Sequence, residues 1–378
     1  MLSSTITLAK EDKAKKVRVI AHTDDEVSDA LAKGCSFKKN AKTLKALECP
    51  EETALEIGLE EDIKVFALNI AEQEDAQQIT TQDINSNKQI GADLVQASGN
   101  SGAGRTIVIL DTGYNYNHPE LSSSYLGGKD FVNDDSDPFD DNGHGSHVAG
   151  LITGDGIDAR AKGVAPAAGI ISGKVLNQYG SGYFSDVVAA IYWAVDGYDG
   201  VYGTADDFKA DAISMSLGTS PPYTYKGFCD SVLPDLTKAV RYARSKGVLV
   251  VAAAGNSGLS GVSIPGCISY STTVGAVDNK DVVASFSGRG KAVSLTAPGV
   301  ALYSAWLNGL YVIASGTSMA TPIVSATVAL VKSAHPAFTP AQTESAMFKT
   351  AKDLGPKGWD ISYGRGRINA QGAVNYGS

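Results

Sequence analysis

The stretch Thr106-Ile107-Val108-Ile109-Leu110-Asp111-Thr112-Gly113 sets the architecture. Its apolar run is too short for a helix, is rich in β-branched residues and does not alternate with polar ones, so it reads as a strand buried on both faces. It stops at a carboxylate and a glycine. Similar runs recur at Gly169 to Val175, Asp211 to Met215 and Val248 to Ala253. Between them lie amphipathic stretches of helical length: His147 to Thr153, Phe184 to Val195 and Leu233 to Lys246. This alternation predicts an α/β fold, a mostly parallel central sheet with helices on both faces. In such sheets ligands collect at the carboxyl ends of the strands. Asp111 stands at one such end, and Asn256 follows another.

Outward from that frame, the last third holds a long apolar helix opening at Ser318 and ended by His335-Pro336. Thr339-Pro340-Ala341-Gln342 then reads as a capping box with proline at the first helical position, starting a helix to about Lys352. Toward the start the character changes. Lys10 to Lys45 is mainly basic, and Glu48 to Asp75 is acidic apart from Lys64. Candidate strands at Val17 to Ala21 and Lys64 to Ile70, with candidate helices at Asp25 to Ala32 and Glu51 to Leu59, describe a small α+β unit. Glu72 to Asn87 is polar and lacks apolar periodicity, as an exposed linker would. The expected division is a first domain over 1–75, a linker over 76–87 and a large domain over 88–378.

With 378 residues, 43% of them apolar, the chain can bury a real core. A net charge of -9 without any basic run argues against nucleic acid as a partner. No eighteen-residue apolar stretch points to a membrane, and Met1 to Lys10 lacks the apolar core and cleavage site of a signal peptide, so either the chain is intracellular or a leader has been removed. The four cysteines fall by region into Cys35 with Cys49 and Cys229 with Cys267. Buried thiols and disulfides are both open readings, with a staple most useful in the Gly/Pro/Asp-rich loops of the second pair.

Three polar residues stand out by order and setting: Asp111 at a strand end, His144 in a Gly-rich turn and Ser318 at a helix start. Asp, His, Ser is one of the orders in which an acid, a base and a nucleophile occur. A serine at a helix N-terminus sits where unpaired N–H groups favour negative charge, though a plain N-cap serine fits the same place. The neighbours add weight. Gly316-Thr317-Ser318-Met319-Ala320-Thr321-Pro322, Asp111-Thr112-Gly113 and His144-Gly145-Ser146-His147-Val148-Ala149-Gly150 together resemble the nucleophile, aspartate and histidine motifs of the subtilisin-like serine proteases. The resemblance covers roughly residues 88 to 378. An α/β-hydrolase esterase would instead place its serine first, within Gly-x-Ser-x-Gly.

That resemblance implies a serine endopeptidase in which Ser318 attacks, His144 moves the proton and Asp111 orients the imidazole, while His147 matches the family's structural histidine. It also implies that Asn256, otherwise an ordinary turn residue in Asn-Ser-Gly, donates to the oxyanion. Gly180, Ser181 and Gly182, with Ser216, Leu217 and Gly218, resemble the two edge segments between which a peptide lies as an added strand. The primary pocket is expected among Ser216 to Gly218, Ala253 to Gly255 (so including Ala254 and Gly255) and Ser263-Ile264-Pro265-Gly266, the Pro265 bond being cis by resemblance. Its small apolar lining predicts preference for apolar or aromatic residues.

Two acidic loops are candidate Ca²⁺ ligand sets: Asp130, Asp135 and Asp137, whose spacing resembles a family calcium loop, and Asp196, Asp199, Asp206 and Asp207, which appear as an insertion. Solvated acidic loops are the alternative. Glu120 stands where the bacterial enzymes' strong calcium site has an aspartate. By position, 1–75 resembles the family's inhibitory propeptide, cut in the linker between Glu72 and Thr81 and then held in the site. The expected protein is thus a secreted, monomeric zymogen acting on polypeptides, inhibited by its own propeptide, with structural Ca²⁺ and no organic cofactor.

Overall fold

The structure is a computed structural model that describes residues 15–68 and 86–377. Chain contacts divide it into two compact units, Met1–Ile63 and Lys64–Ser378. The break falls inside the segment assigned to the first domain from sequence. The linker from Glu72 to Thr81 lies outside the described residues, as do Asn69 and Ile70 at the end of the expected strand.

In the first unit, strands β1 (Lys16–Ala21), β2 (Ser36–Ala41), β3 (Leu44–Pro50) and β4 (Glu60–Glu61) form one sheet in the order β2-β3-β1-β4, its pairs antiparallel. Helices α1 (Asp24–Ala32) and α2 (Glu51–Ile57) complete the α+β unit. Thr23 and Glu26 make a reciprocal capping box at the start of α1. Val19, Ala21, Ala30, Leu47 and Ala54 pack around a Cys35–Cys49 disulfide.

The second unit begins with β5 (Lys64–Ala67), α3 (Ser86–Ile90) and α4 (Ala92–Ala97). There follow β6 (Thr106–Asp111), β7 (Tyr125–Asp130), α5 (His144–Thr153), β8 (Gly169–Lys174), β9 (Ser181–Tyr183), α6 (Phe184–Asp196), β10 (Ala212–Met215), β11 (Leu217–Gly218) and β12 (Thr224–Tyr225). The remainder runs α7 (Pro234–Ser245), β13 (Leu249–Ala253), β14 (Val262–Ser263), β15 (Thr272–Val277), β16 (Val293–Pro298), β17 (Leu302–Ala305), β18 (Tyr311–Ala314), α8 (Thr317–Ala334), α9 (Pro340–Thr350) and α10 (Ala370–Val374).

Seven strands form the central sheet in the order β16-β15-β13-β10-β6-β8-β7, every adjacent pair parallel. The α/β expectation is met. Alternate residues of β6 face opposite layers, as strand geometry requires. Ile107 and Ile109 join the core formed with Val148, Ile152, Ile323 and Val324 of α5 and α8. Leu110 points the other way, since a Cβ built on Gly173 would meet both Leu110 Cδ2, at 2.7 Å, and the Trp193 ring of α6, at 3.5 Å. Successive strands add on one side of β6 through β7 and β8, and on the other from β10 onward. The chain order therefore reverses at β6, and the crevice at its carboxyl end is where such sheets bind ligands.

Edge strand β7, Tyr-Leu-Gly-Gly-Lys-Asp, carries no apolar run. It pairs because Gly128 lets the backbones approach: a Cβ there would lie 2.3 Å from the Ser172 carbonyl oxygen. Helix α5 starts at His144, three residues before the apolar periodicity begins, with Gly143 as N-cap at φ +105°. Cys229 and Cys267 are joined as a second disulfide. Among the described residues no helix is long and apolar enough to cross a membrane.

Candidate active site

Asp111 ends β6 and is fully buried, as is His144 at the first position of α5. Their side chains meet, His144 Nδ1 lying 2.7 Å from Asp111 Oδ1, which also accepts the Thr112 N–H at 2.7 Å. Nδ1 is therefore the donor, and Nε2 is left as the acceptor nitrogen of the neutral ring. Burial works against a charge on this imidazole, but the Asp111 carboxylate, through charge and hydrogen bond, and then Asp140 outweigh it and hold the pKa above the ordinary histidine value. His144 Nε2 is buried and makes no hydrogen bond among the described residues.

His147, one turn further along α5, does different work. Its Nε2 lies 3.1 Å from the Leu302 carbonyl and 3.0 Å from that of Val312, so it donates across the β17–β18 hairpin. Full burial and then the neighbouring His144 lower its pKa to about 4, which keeps the ring neutral.

Ser318 is the second residue of α8, with Gly316 as N-cap and Pro322 inside the helix, whose missing N–H removes the i→i−4 donor to the Ser318 carbonyl. Its hydroxyl donates to the Ser216 carbonyl at 2.9 Å, and Ser216 Oγ returns a bond to the Ser318 carbonyl at 2.8 Å. Asn256 follows β13. Its Oδ1 accepts from Thr317 N at 3.0 Å and Thr317 Oγ1 at 2.9 Å, which turns the amide nitrogen outward. That Nδ2 donates to the Leu68 carbonyl at 2.6 Å.

The two expected edge segments come together around a strand of this same chain. β5 lies between β9 and β11, antiparallel to both. Val65 opposes Gly182, Phe66 opposes Ser181 and Gly218, Ala67 opposes Leu217, and Ala67 N donates to Gly180 O at 2.8 Å. Val65 is 0% exposed, Phe66 38% and Leu68, just past the strand, 6%. Leu68 lies beside residues expected to line the primary pocket: a Cβ on Gly218 would meet Leu68 Cδ1 and Ser263 Cβ, each at 2.9 Å, and Ile264 O at 3.1 Å. Gly255, at φ +90°, has no room for a side chain against Ser263 Oγ, 1.9 Å from the built Cβ. Ala254 is fully buried, and its carbonyl accepts Ser263 N. The Ile264–Pro265 peptide is cis.

The acidic loops are ordered by their own donors. Asp130 accepts from Val132 N, Asn133 N and Asn133 Nδ2. Asp135 accepts from Asp137 N, and Asp137 from Tyr116 Oη and Phe139 N. In the second loop Asp206 accepts from Tyr198 N, Asp199 N and Thr204 Oγ1, Asp207 from Gly203 N, Asp199 from Val201 N and Asp196 from Tyr242 Oη. Among the described residues no three His, Cys, Asp or Glu side chains gather as a metal-holding group. Glu120 is fully buried and folds the loop opposite it, accepting from Gly156 N and Asp158 N at 2.6 Å each and from Tyr311 Oη at 3.1 Å.

Several members of the site went unread in sequence. Asp140 is fully buried against Thr112 and Ser146. Lys174, 2% exposed, donates to Thr112 O, Asp141 Oδ1 and Leu176 O. Its only sequence signal was a cation closing an otherwise apolar strand.

A carboxylate–imidazole pair, a serine at a helix N-terminus and an amide donor on a peptide carbonyl thus stand on segments that follow or flank the parallel strands. The subtilase family profile matches residues 102–366. Subtilisin DY of Bacillus licheniformis is 38% identical over 289 residues, 75% of this chain and 96% of that protein. Subtilisin E of Bacillus subtilis strain 168 is 36% identical over 291 residues, 76% of this chain and 70% of that one. The thermophilic serine proteinase of Bacillus sp. strain AK1 is 38% identical over 275 residues, 72% of this chain and 62% of that one. The chain belongs to the subtilase family and is a subtilisin-like serine endopeptidase.

Proposed function

We propose that this endopeptidase works through an Asp111–His144–Ser318 triad with Asn256 in its oxyanion hole, and that it is made as a zymogen that cuts its own Leu68–Asn69 bond. The observation that carries the reading is the Leu68 carbonyl, held on Asn256 Nδ2 at the end of a strand seated between β9 and β11. In this reading the residue on the acyl side of the bond is Leu68, the fourth residue back is Val65, and Phe66 faces solvent.

Ser318 Oγ turns from the Ser216 carbonyl toward His144 Nε2, gives up its proton there and bonds to the Leu68 carbonyl carbon. The oxyanion so formed is met by Asn256 Nδ2 and the Ser318 N–H. Collapse breaks the C–N bond as His144 returns the proton to the departing Asn69 nitrogen. Water, deprotonated by His144, then releases Leu68 as a carboxylate. The product strand stays paired in the cleft, so residues 1–68 act as the inhibitory propeptide. The cut precedes the 72–81 segment expected from sequence.

The pocket around Leu68 supports a preference for apolar residues on the acyl side in other polypeptides. Two disulfides support secretion into an oxidising compartment, and we take the protein to be a monomer. For Ca²⁺ the second loop fits better than the first. There the Asp207 Oδ1 is buried without a partner among the described residues, while both Asp130 oxygens are already engaged by loop donors. Bound Ca²⁺ would supply a hard cation for Asp207 and nearby carbonyls, and no catalytic step passes through it.

The test is N-terminal sequencing of purified protein with and without Ser318→Ala. A new terminus at Asn69, absent from the variant, is expected. Processing of the variant at the unaltered rate would refute the nucleophile, and a terminus elsewhere would refute the bond.

A further inference from the structure

Asp140 is a fully buried carboxylate that the chemistry above leaves unused. Five hydrogen bonds converge on it. Oδ1 accepts from Thr112 Oγ1 at 2.9 Å, Asn142 N at 3.0 Å and Gly143 N at 2.9 Å. Oδ2 accepts from Ser146 N at 2.8 Å and Ser146 Oγ at 2.6 Å. A carboxylate is strongly penalised by burial unless its lone pairs are met by donors, and here they are. The donors come from two separate segments. Thr112 directly follows Asp111, while Asn142, Gly143 and Ser146 surround His144. Thr112 Oγ1 in turn accepts the Gly145 N–H at 2.8 Å, closing a second path between the residues that make the 2.7 Å Asp111–His144 contact.

We infer that Asp140 is a positioning residue of the reaction: a carboxylate that locks the Asp111–Thr112 strand end to the N-terminus of α5 and thereby sets the place of His144. The inference rests on the triad reading. Its geometry is that of an N-terminal helix cap, satisfying the unpaired N–H groups of Gly143 and Ser146 while opposing the positive end of the helix. Asp111 needs such help because β6 and α5 are joined by a long excursion through β7 and the first acidic loop.

Other charged and titratable groups around His144 are Asp111 at its Nδ1, His147 one turn along α5, and the Lys174–Asp141 pair, whose ammonium lies 2.5 Å from the Thr112 carbonyl oxygen and 2.6 Å from Asp141 Oδ1. Burial is the largest influence on His144 and lowers its pKa, while Asp111 and then Asp140 raise it. Removing the Asp140 charge therefore makes the imidazolium easier to deprotonate.

The decisive variant is Asp140→Asn in the full chain, assayed after self-processing on a peptide p-nitroanilide with leucine before the scissile bond. A fall in kcat of about 10- to 100-fold is expected from the lost alignment. KM should stay within about twofold, and the acid limb of kcat/KM should move to lower pH. Ser146→Ala, which removes the hydroxyl donor and keeps the backbone donor and the charge, should lower kcat less and leave the acid limb in place. An acid limb unmoved in folded Asp140→Asn, or moved equally by Ser146→Ala, would overturn the inference. If Asp140→Asn does not fold, Thr112→Val and Thr112→Ser decide: loss of kcat at constant KM in the first with recovery in the second supports the relay, and equal activity in both refutes it. Loss of all activity in Ser318→Ala checks the triad separately.

Discussion

Truncating Leu68 gives the sharpest test of the self-processing register. In the proposed zymogen its side chain lies beside Gly218, Ser263 and Ile264 and is 6% exposed. Leu68→Ala removes three carbons from that pocket, about 2.4 kcal/mol at about 0.8 kcal/mol per methylene. If the transition state holds the side chain as this structure does, self-cleavage slows by about 60-fold. Val65→Ala removes two carbons from a fully buried position and should slow cleavage by about 15-fold on the same arithmetic. Phe66, 38% exposed, is the control, and Phe66→Ala should change the rate by less than about threefold despite losing the largest side chain of the three. The assay follows intact mass against time after dilution from denaturant. A rate ordered by side-chain size, with Phe66→Ala the slowest, would refute the strand register.

Other perturbations reach different parts of the site. Because the His144 pKa is raised and the base must be neutral, kcat/KM should fall as pH drops through a value above the ordinary 6.5, and an acid limb below that value would contradict the Asp111 pairing. Glu120→Ala strips the charged acceptor from Gly156 N, Asp158 N and Tyr311 Oη, and should cost about 2–4 kcal/mol, read as a lower thermal midpoint; an unchanged midpoint would show that the loop folds without it. Chelation should lower the midpoint of the parent protein and not that of Asp206→Asn/Asp207→Asn, whereas an equal fall in both would remove the second loop as a Ca²⁺ site.

Where local chemistry dominates, the chain is readable in one dimension. The runs at Thr106, Gly169, Asp211 and Val248 announce buried parallel strands because both faces of each must be apolar. Thr339-Pro340-Ala341-Gln342 announces its helix because capping is a matter of four adjacent residues. Strands β7, β15 and β16 were not read because their glycines, threonines and prolines pair only where neighbours already supply the sheet. The start of α5 was placed late for a related reason. Its first turn, His-Gly-Ser, has poor helical propensity and is held by Asp140, whose hydrogen bonds are tertiary as well as local.

By itself the sequence determined the α/β class, the Asp, His, Ser order and the residues that could carry charge at strand and helix ends. Only the tertiary structure decided that Asp111 and His144 share a hydrogen bond, that Thr317 turns the Asn256 amide, that Asp140 and Lys174 are buried beside Thr112, and that Lys64–Ala67 lies as a strand between β9 and β11. The physical reason is distance along the chain. Periodicity and capping act over a few residues, whereas Asp111 meets His144, and Asn256 meets Thr317, only after crossover connections have folded back on one sheet, and a peptide strand recognises an edge by backbone hydrogen bonds that no side-chain pattern records.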